Sequence, residues 1–139
     1  MSNSKDKSKI SGSVCAVIPF YNEKPTLYKV LNKTTKYVHF AIAVNDGLND
    51  DAYLNERKNS EIKLIDLEKK YGKWKALEAG LKTAISSGYD SIITLDADLQ
   101  HEAKYIPVLL EGLKSFDIVI CNRLKNLKSM ALQKNLVIN

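Results

Sequence analysis

The chain is 139 residues long, 45% hydrophobic, and carries a formal net charge of +5. That length supports one sizeable core, and no apolar run approaches the roughly 20 residues that a membrane-crossing helix needs. The stretch Ser2 to Ser13 bears lysine and serine without an apolar core of its own, so it reads as a flexible basic tail and not as a secretory leader.

Taken in chain order, the first apolar run is Val14 to Ile18, which breaks at Pro19 into Phe20-Tyr21-Asn22-Glu23 and leads to a helix bearing lysine and leucine. A second run, Phe40 to Val44, breaks at Asn45-Asp46-Gly47, and a third, Ile62 to Ile65, ends at Asp66. The spacing then predicts a helix from about Lys73 to Ser87, with Trp74, Leu77, Leu81 and Ile85 recurring at helical intervals as its buried stripe. In that reading Trp74 is core. The next strand runs through Ile92 to Leu95 into Asp96 and Asp98, and a last apolar strand is expected at Ile118 to Cys121. Strands alternating with helices predict an α/β fold with a mostly parallel central sheet flanked by helices. Polar residues gather where the strands end, the edge at which such sheets bind ligands.

Asp96 and Asp98 are one residue apart. In an extended chain alternate residues share a side, so the two carboxylates converge. Carboxylates that close repel unless a cation or a proton neutralises them. Mg²⁺ and Mn²⁺ prefer oxygen ligands and are commonly held by one or two carboxylates plus substrate phosphates. Gln100 adds an amide oxygen on the same alternation if the chain stays extended. The plainer reading of Asp96 and Asp98 is that they cap a helix or solvate a loop, and the spacing alone does not decide between the two. His101 and His39 lack the companions of a zinc site, and His101 is expected to cap or pack near the Asp96 loop. Cys15 and Cys121 lie inside apolar runs and read as core residues of a chain in a reducing compartment.

Five blocks carry a family resemblance: VIPFYNE at Val17 to Glu23, VNDGLND at Val44 to Asp50, YGKWKALEAGL at Tyr71 to Leu81, LDADLQH at Leu95 to His101 and DIVICNR at Asp117 to Arg123. In this order they resemble the nucleotide-binding part of a family 2 glycosyltransferase of the GT-A fold, most like the dolichol-phosphate (polyprenol-phosphate) sugar transferases. The resemblance implies that Pro19, Tyr21 and Glu23 line a nucleotide-sugar pocket, with Asp46 reaching the base or ribose. It implies that Lys73 and Arg123 balance the diphosphate, that Asp98, Gln100 and Asp96 hold Mg²⁺ or Mn²⁺, and that Asp96 and Asp98 are the catalytic pair. The chain departs from the family at Asn45, where an aspartate is usual, at Leu48, where a serine is usual, and at Cys121-Asn122, where glycine and serine are usual. A dinucleotide-dependent oxidoreductase is excluded, since Pro19-Phe20-Tyr21-Asn22 stands where G-x-G-x-x-G would lie.

The expected organisation is a basic tail at 1–13, a nucleotide-sugar-binding domain at 14–123, and a basic tail at 124–139 that reads as a short amphipathic helix or as a helix packing on the sheet or a second subunit. The two basic ends, +2 over residues 1 to 13 and +4 over residues 122 to 139, leave the middle at −1. Such ends suit an anionic membrane surface, so a cytoplasmic chain with peripheral contact at the cytoplasmic membrane face is expected. No nucleic-acid-binding module is visible. Sixteen residues follow Arg123 and the last acid is Asp117, so no acceptor-side carboxylate serves as general base. A hydroxyl acceptor would need one. A lipid phosphate, with a second pKa of about 6, is already an anionic nucleophile. The sequence reading is therefore a metal-dependent, inverting transferase that moves a hexose from a UDP- or GDP-linked sugar to a polyprenol or dolichol phosphate. Its alternative is a truncated, non-catalytic nucleotide-sugar-binding or scaffold subunit, with a homo-oligomer or partner chain covering the missing half.

Overall fold

The computed structural model describes residues 12–47 and 59–121. Four strands form one parallel sheet: β1 (Val14–Phe20), β2 (Phe40–Asn45), β3 (Ile62–Asp66) and β4 (Ser91–Thr94), in the order β3-β2-β1-β4. Among the described residues the helices are α1 (Lys24–Thr34), α2 (Lys73–Ser86) and α3 (Ile106–Leu113), the last preceded by a 3₁₀ turn at Ala103–Tyr105. This is the α/β architecture with a parallel sheet that the sequence predicts. Two compact units divide the chain, one ending at Lys104 and the other beginning at Tyr105. The sheet, α1 and α2 belong to the first. In the second, α3 buries Ile106 and Gly112.

Every residue of β1 is buried, as expected of a central strand covered on both faces. Its neighbours run in register, Val17 beside Ile42 on one side and beside Thr94 on the other. The chain steps outward from β1 to β2 to β3 and then returns across the sheet to β4 on the far side of β1. Right-handed crossovers in opposite directions put α1 and α2 on opposite faces. The reversal leaves a crevice between the carboxyl ends of β1 and β4, the usual ligand position in open parallel sheets. β1 continues through Pro19 to Phe20 instead of breaking at the proline. β4 has ended at Thr94, opposite Val17, so the proline lies where β1 keeps a strand neighbour on one side alone, a position that tolerates a missing N–H.

The packing of α2 corrects the expected stripe. Its buried line is Ala76, Gly80 and Ala84, while Trp74 is 79% and Ile85 66% exposed. Leu77 and Leu81 flank the line, half-buried against the cluster of Cys15, Val17, Ile42 and Val44. With 3.6 residues per turn, the large side chains centre roughly 100° round the helix from the small ones that face the sheet. Small residues win because they let the helix approach closely. A Cβ on Gly80 would lie 2.4 Å from Val17 Cγ1 and 3.0 Å from Val44 Cγ2.

The apolar run at Ile118–Cys121 is not a strand. Ile118 and Ile120 are 52% and 55% exposed, and strand propensity without a partner edge does not by itself make a strand. Cys15 is fully buried, which pushes its thiol up to about 11. His39 serves the fold, its Nδ1 accepting from the Val14 N–H at 3.1 Å. Among the described residues no helix is long and apolar enough to cross a membrane. The expected tail at 124–139 lies outside the described residues, as does all of the tail at 1–13 except Gly12 and Ser13.

Candidate functional site

Three segments meet at the carboxyl edge of β1, β2 and β4. The first follows β1, where Tyr21, Asn22 and Glu23 turn the chain into α1, with Asn22 at a positive φ of 52°. Glu23 is the N-cap residue of α1 but makes no side-chain capping bond. Burial pushes its carboxyl above the ordinary value, the nearby Asp98 and Asp96 carboxylates raise it further, and Lys73 takes part of the rise back. Glu23, Asp96, Asp98 and Lys73 therefore share one electrostatic environment.

The second segment follows β4. The strand stops at Thr94, and Asp96 to Gln100 form a turn instead of an extended continuation. The alternation argument for Asp96 and Asp98 does not hold here; what the two carboxylates share is a place close enough to Glu23 to act on it. Asp98 Oδ1 accepts from the Gln100 N–H at 2.9 Å, an aspartate bonding its own backbone two residues on. Leu99 is held at φ 66°, a sparsely populated conformation for a side chain of that size. His101 packs beside this loop as expected, its Nδ1 accepting from the Asp96 N–H at 3.0 Å. Thr26 ties the loop to α1: its hydroxyl donates to the Ala97 carbonyl at 2.6 Å.

The third segment is the approach to α2. Leu67 N–H donates to the Asn45 carbonyl at 3.0 Å, and the Asn45 side-chain amide donates to Asp66 Oδ1 at 3.1 Å. Asp46, 3% exposed, accepts from the Tyr71 N–H at 2.7 Å on Oδ1 and from the Gly72 N–H at 2.9 Å on Oδ2. Lys70 Nζ stands 3.9 Å from the centroid of the Tyr21 ring. Lys73, the first residue of α2, places Nζ 2.5 Å from Asp96 Oδ1.

The structure thus gathers Glu23, Lys73, Asp96 and Asp98, with Tyr21 and Asp46 alongside in the neighbouring turns. Pro19 is buried within β1. The Gln100 side chain is exposed, with its backbone bonded to Asp98. Arg123 lies outside the described residues. Among the described residues no three of histidine, cysteine, aspartate and glutamate form a cation cage by themselves. The oxygen donors at the loop suit a hard cation that draws its remaining ligands from elsewhere.

Two participants escape a reading of residue types. Thr26 is a threonine in the first turn of α1, and nothing in its neighbours marks it. Gly72 could have been singled out, since a glycine directly before a lysine-led helix is a place for unusual backbone angles, and it adopts φ 100°.

Residues 15–134 match the model described as "Glycosyl transferase family 2". Among curated relatives, an uncharacterised protein of Methanocaldococcus jannaschii is 37% identical over 105 residues, covering 71% of this chain and 46% of its own. An undecaprenyl-phosphate 4-deoxy-4-formamido-L-arabinose transferase of Pseudomonas fluorescens is 36% identical over 118 residues, covering 76% of this chain and 34% of its own. The enzyme of that name from Proteus mirabilis is 35% identical, covering 81% and 37%. The chain spans less than half the length of each of these relatives.

Proposed function

The chain belongs to glycosyl transferase family 2, and from that premise we propose that it binds a nucleotide diphosphate sugar at the carboxyl edge of its sheet and passes the sugar to a polyprenol phosphate. The observation that carries this reading is the group of three carboxylates, Glu23, Asp96 and Asp98, standing at the crevice between β1 and β4 with Lys73 paired to one of them. An acidic group of this kind, placed where open sheets bind ligands, suits a divalent cation, and through that cation a diphosphate that the carboxylates alone would repel.

In this reading Tyr21 and Pro19 border the base and Glu23 lies under the ribose side of the pocket, while Asp46, its carboxylate bonded to the Tyr71 and Gly72 N–H groups, backs the pocket without meeting the nucleoside. Asp98 and Asp96, with Gln100, hold Mg²⁺ or Mn²⁺. Bound there, the metal supplies Lewis-acid stabilisation of the departing diphosphate. Lys73 and Arg123 add positive charge to that diphosphate. The acceptor phosphate oxygen attacks the anomeric carbon as the bond to the nucleotide diphosphate breaks, which inverts the configuration. The acceptor needs no general base, since its phosphate is anionic near neutral pH, with a second pKa of about 6. Two of the relatives are named as undecaprenyl-phosphate transferases, which supports a polyprenol phosphate. The sugar is a hexose on the sequence reading and a substituted arabinose by those names. A lipid acceptor and the basic segments at 1–13 and 122–139 support a peripheral contact at the cytoplasmic face of a membrane.

Calorimetric titration with UDP-glucose, GDP-mannose and a UDP-linked pentose, with and without Mn²⁺, tests the donor site alongside Asp98→Ala. Metal-dependent binding that the variant loses supports the assignment and identifies the nucleotide. Failure of every donor to bind overturns it. Binding without transfer to an added polyprenol phosphate would favour a non-catalytic nucleotide-sugar-binding or scaffold subunit that works with a partner chain.

A further inference from the structure

We propose that Asp46 is a positioning residue for Lys73: its carboxylate fills the amide cradle at the start of α2, so that the diphosphate is met by the Lys73 side chain and not by the loop backbone. This rests on the donor-binding reading above and adds to it how the phosphate subsite is built.

A glycine followed by a lysine at a helix start is the place where backbone N–H groups and the helix dipole ordinarily receive an anion. Here Gly72 is the N-cap residue of α2, at φ 100° and ψ 157°. With that conformation the N–H groups of Tyr71 and Gly72 point to one place, a small anion-binding concavity. The place is already taken. Asp46 Oδ1 lies 2.7 Å from Tyr71 N and 3.1 Å from Gly72 N, and Oδ2 lies 2.9 Å from Gly72 N. Asp46 is itself buried and anchored, its own N–H donating to the Phe20 carbonyl at 2.9 Å. Charge-assisted bonds of this kind are the strong ones. An incoming phosphate would have to expel a buried carboxylate to reach those amides.

The next residue in the chain is Lys73, and its ammonium reaches Asp96. A single line therefore runs from the end of β2 through the Asp46 carboxylate and the Gly72 backbone to the Lys73 side chain at the carboxylate group. Lys70, two residues before Gly72, stands over the Tyr21 ring. Asp46→Asn keeps the size of the side chain, but its NH₂ cannot accept from Gly72 and would face it as a second donor. Gly72→Ala attacks the junction from the other side. A Cβ there meets nothing within 4 Å, so its effect is confined to the backbone conformation, which alanine adopts poorly.

The test compares affinity for UDP or GDP, whichever the wild type binds, with affinity for the corresponding nucleoside, in wild type, Asp46→Asn, Gly72→Ala, Lys73→Met and Asp46→Asn/Lys73→Met. The expected result is a loss of about tenfold in diphosphate affinity for each single variant, nucleoside affinity held within about twofold, and little further loss in the double variant. Equal losses on nucleoside and diphosphate would overturn the proposal, as would losses that multiply in the double variant. Hydrogen exchange at the Tyr71 and Gly72 amides, and the Lys73 ammonium resonance with and without Asp96→Asn, read the clamp without any nucleotide. Protection and ion pairing that survive Asp46→Asn would also overturn it. A wild type that binds neither nucleotide sinks the donor reading, while these two signals still decide the clamp.

Discussion

Lys73 Nζ lies 2.5 Å from Asp96 Oδ1, and the same lysine offsets part of the repulsion that Asp98 and Asp96 exert on Glu23. Both side chains of the pair are partly exposed, 61% and 29%, so solvent screens the pair and its value to stability is small. Its weight is local: among the described residues, Lys73 is the cation that lowers the Glu23 carboxyl against the two aspartates.

Lys73→Met should therefore drive the Glu23 carboxyl further above its ordinary value, because the cause that lowers it is gone while burial and the two aspartates remain. Carbon-detected titration of the Glu23 side chain in the two proteins checks this. An unchanged midpoint would show that Lys73 does not act on the group.

Glu23 also imposes a pH dependence on stability. A carboxyl whose pKa is raised by folding binds its proton more tightly in the folded chain than in the unfolded one. Its contribution favours the folded state as pH falls through the raised value, and opposes it once pH rises above that value. Glu23→Gln should accordingly make the protein more stable at neutral pH and flatten the slope of stability against pH just above the ordinary glutamate range. Thermal melting of both proteins from pH 4 to pH 8 measures it, and parallel curves would contradict the assignment.

Gly80 carries the approach of α2 to the sheet. An added methyl group would meet Val17 Cγ1 at 2.4 Å, inside any tolerable contact. Gly80→Ala gains helix propensity of up to about 1 kcal/mol, against an overpacking cost of about 1–3 kcal/mol. The net expectation is destabilisation, with α2 pushed off β1 and Lys73 displaced from Asp96. A lower melting temperature together with loss of the Lys73 ion-pair signal is the expected outcome. A stabilised variant would mean that the helix rides higher than described.

What the amino-acid order discloses and what it hides divide along physical lines. The four strands are legible because apolar runs give way to polar residues, and the carboxylates that follow them stand out by type, although β1 runs on through Pro19 to Phe20 and β4 stops at Thr94. The contact between Asp46 and Gly72 is not legible. A carboxylate that accepts from backbone amides 25 and 26 residues away leaves no trace in composition or period. The turn that carries Asp96 and Asp98 is hidden as well, because alternation cannot report where a strand stops pairing. The run at Ile118–Cys121 has strand propensity, and propensity does not supply a partner.

Trp74 is the sharpest departure, and it yields a direct measurement. Size and helical spacing mark it as core, yet Ala76, Gly80 and Ala84 face the sheet and Trp74 projects from the other side of α2, 79% exposed. A buried tryptophan replaced by alanine typically costs 3–5 kcal/mol, or about that range, whereas an exposed one away from special features stays within about 0.5 kcal/mol. Trp74 is the single tryptophan of the chain, so its fluorescence reports on this position alone. The wild type should emit near the wavelength of a solvated indole and be quenched readily by iodide. Trp74→Ala should leave the denaturant midpoint nearly unchanged when unfolding is followed by circular dichroism. A blue-shifted, unquenchable emission with a large loss of stability would return Trp74 to the core and move the buried line of α2 away from Ala76, Gly80 and Ala84.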